Sequence, residues 1–245
     1  PAHVPLGLVF SRRLPLPRLG SGGRALADAI WAAPVAGVAV ALIGAVAYEV
    51  ATQLGLAAGP AAALALAAGM AATGCLHEDG LSDVADGFGG GKTREHKLEI
   101  MRDSRIGTYG TAALGLSLLL RWSALAGLAG PVEVLAALIA AHCASRALLG
   151  AFMHLLPRAR ADGLAAAAGE VPHNVALAGV ALGAVSLLVL GVHAAAAAII
   201  VLALIFFGFR RLCLKQIGGQ TGDTAGALQQ LAEIAVLLVA SVFLA

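Results

Sequence analysis

The chain has 245 residues, of which 60% are apolar and 12% charged, and its mean hydropathy is +0.89. Soluble domains carry about 25% charged residues, so an ordinary soluble domain is excluded; the surplus of Ala, Leu, Val and Gly suits helices packed closely in lipid. A net charge of +2 with no basic stripe among aromatics argues against nucleic acid, and three scattered cysteines without a CxxC pair argue against a disulfide framework or zinc site.

A hydrocarbon core of about 30 Å needs about 20 apolar residues in helix. In chain order such stretches fall at 27–50, 53–76, 106–130, 132–156, 174–191, 194–209 and 225–245. The expected fold is therefore an all-α polytopic transmembrane bundle of about seven spans, a single integral membrane domain over 1–245. The first 25 residues carry Arg12, Arg13, Arg18 and Arg24 without a cleavable apolar core, so no signal peptide is expected.

Charge placement gives the orientation, because cytoplasmic loops collect Lys and Arg. Basic residues precede the first span, and Lys92, Arg94, Lys97, Arg102 and Arg105 separate the second from the third. Arg158 and Arg160 follow the fourth, and Arg210, Arg211 and Lys215 follow the sixth. The alternate connections have none. This pattern puts the N-terminus and every basic loop in the cytoplasm of a bacterial cell, with the protein in the inner membrane.

Seven of the fourteen acidic residues lie between Glu78 and Asp103, in the one long connection, 77–105. If the second span continues as helix, Asp79, Asp83 and Asp86, spaced i, i+4, i+7, share one face. Carboxylates so close repel one another, and a divalent cation removes that penalty. Hard oxygen ligands suit Mg²⁺ or Mn²⁺, shared with substrate phosphates. A solvated acidic helix end is the alternative.

Residues 94–105 read as a short amphipathic helix. Asp103, Ser104 and Arg105 either complete a metal and phosphate site or belong to a surface helix. Further on, Gly219, Gln220, Thr221 and Asp223 precede the last span. Glycines and a following helix N-terminus suit an anion; the other reading is a tight turn with Asp223 as N-cap. Arg146 lies mid-span, where an unpaired Arg costs about 2.5–3.5 kcal/mol, so it pairs inside the bundle or binds ligand. His142 and His154 lie on its side.

Taken together, Leu14 to Pro17 (LPLP), Gly74 to Gly87 (GCLHEDGLSDVADG), Leu98 to Gly110 (LEIMRDSRIGTYG), Ser145-Arg146 and Gly218 to Gly226 (GGQTGDTAG) resemble the cobalamin synthases, the adenosylcobinamide-GDP ribazoletransferases. The likeness covers nearly the whole chain in the same order. One departure is Glu78, where many members have Leu. The resemblance implies Mg²⁺-dependent joining of α-ribazole, or its 5′-phosphate, to adenosylcobinamide-GDP with release of GMP. It implies a metal set of Asp79, Asp83 and Asp86 with Glu78, and catalytic roles for these aspartates, His77 and Asp103. Arg102, Ser104, Arg105, Arg146, Gly219, Gln220, Thr221 and Asp223 would hold substrate and phosphate. It also allows a homo-oligomer or association with other membrane enzymes of cobalamin assembly. Two rivals remain at this stage. A CDP-alcohol phosphotransferase would carry a longer aspartate signature, and a cation-coupled transporter would place its acids near the bilayer midplane.

Overall fold

The computed structural model describes residues 26–161 and 169–245; the LPLP segment and the first four arginines lie outside the described residues. One helical turn, Leu26–Ala29, and a 3₁₀ turn, Ile30–Ala32, lead into α1 (Ala33–Gln53). Then follow α2 (Ala58–Thr73), α3 (Leu76–Gly90), the short α4 (Arg94–Ile100) and α5 (Thr108–Ala126). The chain continues with α6 (Pro131–Leu155), α7 (His173–Ser186) running into a 3₁₀ turn, α8 (Val192–Ile217) and α9 (Gly222–Phe243). No strand is found among the described residues, and the protein is an all-α membrane bundle, as its composition requires.

Five of these helical stretches are each long and apolar enough to cross a membrane, or six if α2 and α3 count as one broken span. The expected third span, α5, is not among them, because Arg121 and a polar first turn dilute its leucines. Helices α6 and α9 occupy the middle. Around α6 pack α1, α7 and α9, while α3, α5 and α8 lie against α9. Their core is built from small residues. Ala137, Ala140, Ala141 and Ala144 of α6 join Ala41, Ala61, Ala65 and Ala232 in one buried cluster, since in lipid close backbone approach replaces the hydrophobic effect as the driving force.

Two boundaries differ from the sequence reading in ways that matter. The second span does not continue into the acidic segment. It ends with Gly74 N–H donating to the Ala71 carbonyl and Cys75 N–H to the Met70 carbonyl, the paired bonds that close a helix over a left-handed residue. Gly74 and Cys75 both have positive φ, 64° and 58°, and the chain turns by 89° between α2 and α3. The sixth span, in contrast, is longer than expected. Arg210, Arg211 and Lys215 sit on the last turns of α8, where long basic side chains can carry their charge to an interface.

Candidate active site

The described basic loops are tied together at one end of the bundle. Arg94 of α4 donates to the Ala159 carbonyl, the Ala159 N–H to Gln220 and the Gln220 N–H to Pro157. Lys97 also bonds Gln216 at the end of α8. The expected amphipathic helix is real but stops at Ile100, with Thr93 capping it through the His96 N–H.

Helix α3 presents three different faces to this end. Leu81 and Val84 rest on an aromatic cluster of Phe152, Phe206 and Phe209. Asp79 and Asp83 lie toward the start of α9, where the charges of Asp79 and Asp223 act on Asp83, with Asp86 adding to them and Arg160 opposing. The helices meet there without side chains between them. A Cβ on Gly80 would stand 2.7 Å from the Asp223 carbonyl oxygen, so any larger residue there would push the two helices apart. Asp223 itself accepts a bond from Arg160 at 2.8 Å. Asp79 is exposed, and Asp83 and Asp223 are half-buried.

The other two expected metal carboxylates are engaged elsewhere. Asp86 is buried, and its oxygens accept the N–H groups of Gly107 at 2.7 Å and Gly110 at 2.9 Å. It thereby caps α5, whose own N-cap, Gly107, has no side chain for the task. Glu78 faces the bundle interior, where its Oε1 accepts Arg121 Nη1 at 3.0 Å and Gln230 Nε2 at 3.4 Å. The same Nη1 donates to Glu233 at 3.0 Å, and Glu233 also meets Gln229 at 2.7 Å and His142 at 3.0 Å. His77, buried like Glu78, lines a small cavity with Arg121, His142, Arg146 and Glu233. It does not face Asp79 and Asp83.

Arg146 does pair with a histidine on its own helix, as its spacing suggested, through the ring and carbonyl of His142 at 3.0 and 3.1 Å. His154 does not join them and bonds the Val171 carbonyl instead. The glycine-rich loop is a turn. Thr221, not Asp223, is the N-cap of α9, and it exchanges bonds with Thr224 in a capping box. Gly219 packs on Pro157 and Gln220 is buried, so most of the loop's N–H groups are already used. Asp103 and Arg105 hold each other at the surface, and those bonds keep the Asp103 carboxyl down at about 2. Arg102 and Ser104 are exposed beside them.

Sequence reasoning missed Arg160, Gln229, Gln230 and Glu233. The last three had a legible signal, a polar run inside an otherwise apolar span. Arg160 had only its place in a basic loop.

Mg²⁺ fits the acids at the α3–α9 junction by the chemistry of the donors. Asp79 and Asp83, neither bonded to a cation among the described residues, lie with Asp223 as hard ligands in want of a counter-ion. Among the described residues no three His, Cys, Asp or Glu side chains already converge on a single point. Mg²⁺ usually takes one or two carboxylates and fills its sphere with water and substrate phosphate.

The cobalamin-5-phosphate synthase family model matches residues 4–241. The chain belongs to that family. Its relatives include an adenosylcobinamide-GDP ribazoletransferase of Mesorhizobium japonicum, 66% identical over 98% of this chain and 93% of the relative. Proteins of the same name from Bradyrhizobium diazoefficiens and Azorhizobium caulinodans are 56% and 47% identical, over 89% and 97% of this chain and 85% and 94% of theirs. No solved structure matches it. In this member of the cobalamin synthase family, the matched region takes in every element of the acidic junction.

Proposed function

We propose that the protein is an adenosylcobinamide-GDP ribazoletransferase. It joins α-ribazole or its 5′-phosphate to adenosylcobinamide-GDP, gives adenosylcobalamin or its 5′-phosphate, and releases GMP. The observation that carries this reading is the close approach of α3 to the start of α9 between Gly80 and Asp223, which brings Asp79 and Asp83 near Asp223 at the end where the basic loops gather. A ribose hydroxyl oxygen attacks the cobinamide-side phosphorus of the pyrophosphate. The bond from that phosphorus to the bridging oxygen breaks, and GMP departs with the bridging oxygen. Asp79 and Asp83, with Asp223 beside them, would hold Mg²⁺, which would supply charge neutralisation for the phosphates and the leaving group.

In this scheme Arg102, Arg105 and Arg160 offer positive charge to the donor's phosphates, and one of the Asp79 and Asp83 carboxylates accepts the hydroxyl proton. His77 is less suited to that task because it faces the interior cavity. Arg146, within the same cavity, balances the buried acids. The basic ends face the cytoplasm of a bacterial inner membrane by the excess of Lys and Arg there, which is where a nucleotide-linked donor is available.

The test is GMP release from adenosylcobinamide-GDP by purified protein in liposomes, with α-ribazole as acceptor and Mg²⁺ varied. Mg²⁺-dependent GMP together with a corrin product supports the reading. CMP release from a CDP-linked donor, or cation flux without GMP, would replace it with one of the rivals.

A further inference from the structure

Helix α3 enters after two left-handed residues, so its rotation is not inherited from α2. Much of its surface is polar, and its apolar contact is confined to a few residues such as Leu81 and Val84. The approach of Gly80 to α9 and the Asp86 cap on α5 hold its middle and its end, and a further contact holds its start beside Asp79. At the start of α3, Glu78 is held by Arg121 of α5, and the same nitrogen holds Glu233 of α9. One guanidinium thus joins the helix that carries Asp79 to the helix that carries Asp223, through the residue next to Asp79. Arg121 is 2% exposed, and Glu78 and Glu233 are buried with it.

We infer that Arg121 is a positioning residue for the acidic junction: by bridging Glu78 and Glu233 it sets the rotation of α3 so that Asp79 and Asp83 face Asp223. This rests on the cation reading given under the proposed function. Arg121 does not touch substrate or cation. Its bridge uses Nη1 alone, since Nε and Nη2 make no hydrogen bond among the described residues. A lysine therefore offers the one nitrogen the bridge needs, and a methionine offers none.

The experiment compares wild type, Arg121→Lys, Arg121→Met and the double variant Glu78→Leu with Arg121→Met. The double variant removes both charges and leaves Glu233 on His142 and Gln229, which guards against simple misfolding from an uncompensated buried acid. Mn²⁺ binding to each purified protein is measured by electron paramagnetic resonance, alongside thermal melting in detergent and the Mg²⁺ dependence of GMP release. The methionine and double variants are expected to bind Mn²⁺ about 10–100-fold more weakly, the usual effect of removing a group that orients a ligand. Lysine should restore most of the affinity. A double variant that melts earlier yet binds Mn²⁺ like wild type would overturn the positioning role. Wild-type protein that binds no Mn²⁺ would overturn the cation reading and this inference with it.

Discussion

Asp86 and Gly110 lie twenty-four positions apart, yet the carboxylate of one closes the first helical turn of the other, with the Gly110 N–H donating to Oδ1 at 2.9 Å. A Cβ at Gly110 would collide with both Asp86 and Ser82, so glycine is what lets α3 reach the backbone of α5. The aspartate of the DVADG segment and the glycines of RIGTYG form one helix cap.

That relationship separates Asp86 from its neighbours in a mutational series. Asp86→Asn keeps one acceptor oxygen and loses the other, and Asp86→Ala loses both. Removing a capping side chain typically costs about 0.5–2 kcal/mol, so the alanine variant should melt earlier in detergent, with the asparagine variant between it and wild type. Residual Mg²⁺-dependent activity is expected in Asp86→Asn. Complete loss of turnover with unchanged melting would return Asp86 to the cation site.

Asp83 should behave in the opposite way. Asp83→Asn removes a charge that burial, and then Asp79 and Asp223, destabilise, so folding should hold or improve. Turnover should fall beyond the roughly 10–100-fold typical of groups that only support a ligand. Near-normal GMP release with a normal Mg²⁺ requirement would remove Asp83 from the cation site.

The helical type of the elements was legible because a membrane dictates the length of an apolar helix, and most apolar stretches lie within a few residues of expectation, but five or six rather than seven are long and apolar enough to cross. The break at Gly74-Cys75 was not legible. The apolar run passes through it, and only the left-handed pair and its two closing bonds reveal it. Spacing suggested that Asp79, Asp83 and Asp86 share one helix face, but what each meets depends on other helices. The first turn of α5 takes Asp86, and Arg121, forty-three positions from Glu78, takes that carboxylate. The sequence reads Asp223 as part of an anion-binding loop or as the N-cap of a tight turn, because nothing local in GGQTGDT shows that it lies against Gly80.

Two glycines offer a sharp contrast in packing. Gly80→Ala places a methyl 2.7 Å from the Asp223 carbonyl, whereas Gly115→Ala meets nothing within 4 Å. Overpacking of this kind costs about 1–3 kcal/mol, while alanine within a helix gains about 1 kcal/mol over glycine. The first variant should melt earlier and bind Mn²⁺ more weakly by prising α3 from α9. The second should melt at or above the wild-type temperature with unchanged binding. Equal behaviour of the two would contradict the close approach at Gly80.

The Asp103–Arg105 pair gives the pH test. Hydrogen bonds from Arg105 lower the Asp103 carboxyl from 3.8 to about 2, so the folded value lies below the ordinary one. The pair's contribution to ordering the turn is therefore complete above about pH 5, where the free carboxyl is ionised, and fades as pH falls through 3.8 toward 2. Arg105→Ala should return Asp103 toward 3.8, which a carboxyl-selective NMR titration in detergent reads directly. The exchange also bears on function, because a guanidinium occupied by Asp103 is not fully offered to a phosphate. Asp103→Asn should loosen Arg105 and lower the KM for adenosylcobinamide-GDP, with kcat little changed, if Arg105 meets the donor. A large fall in kcat at unchanged KM would instead give Asp103 itself a part at the reacting phosphorus.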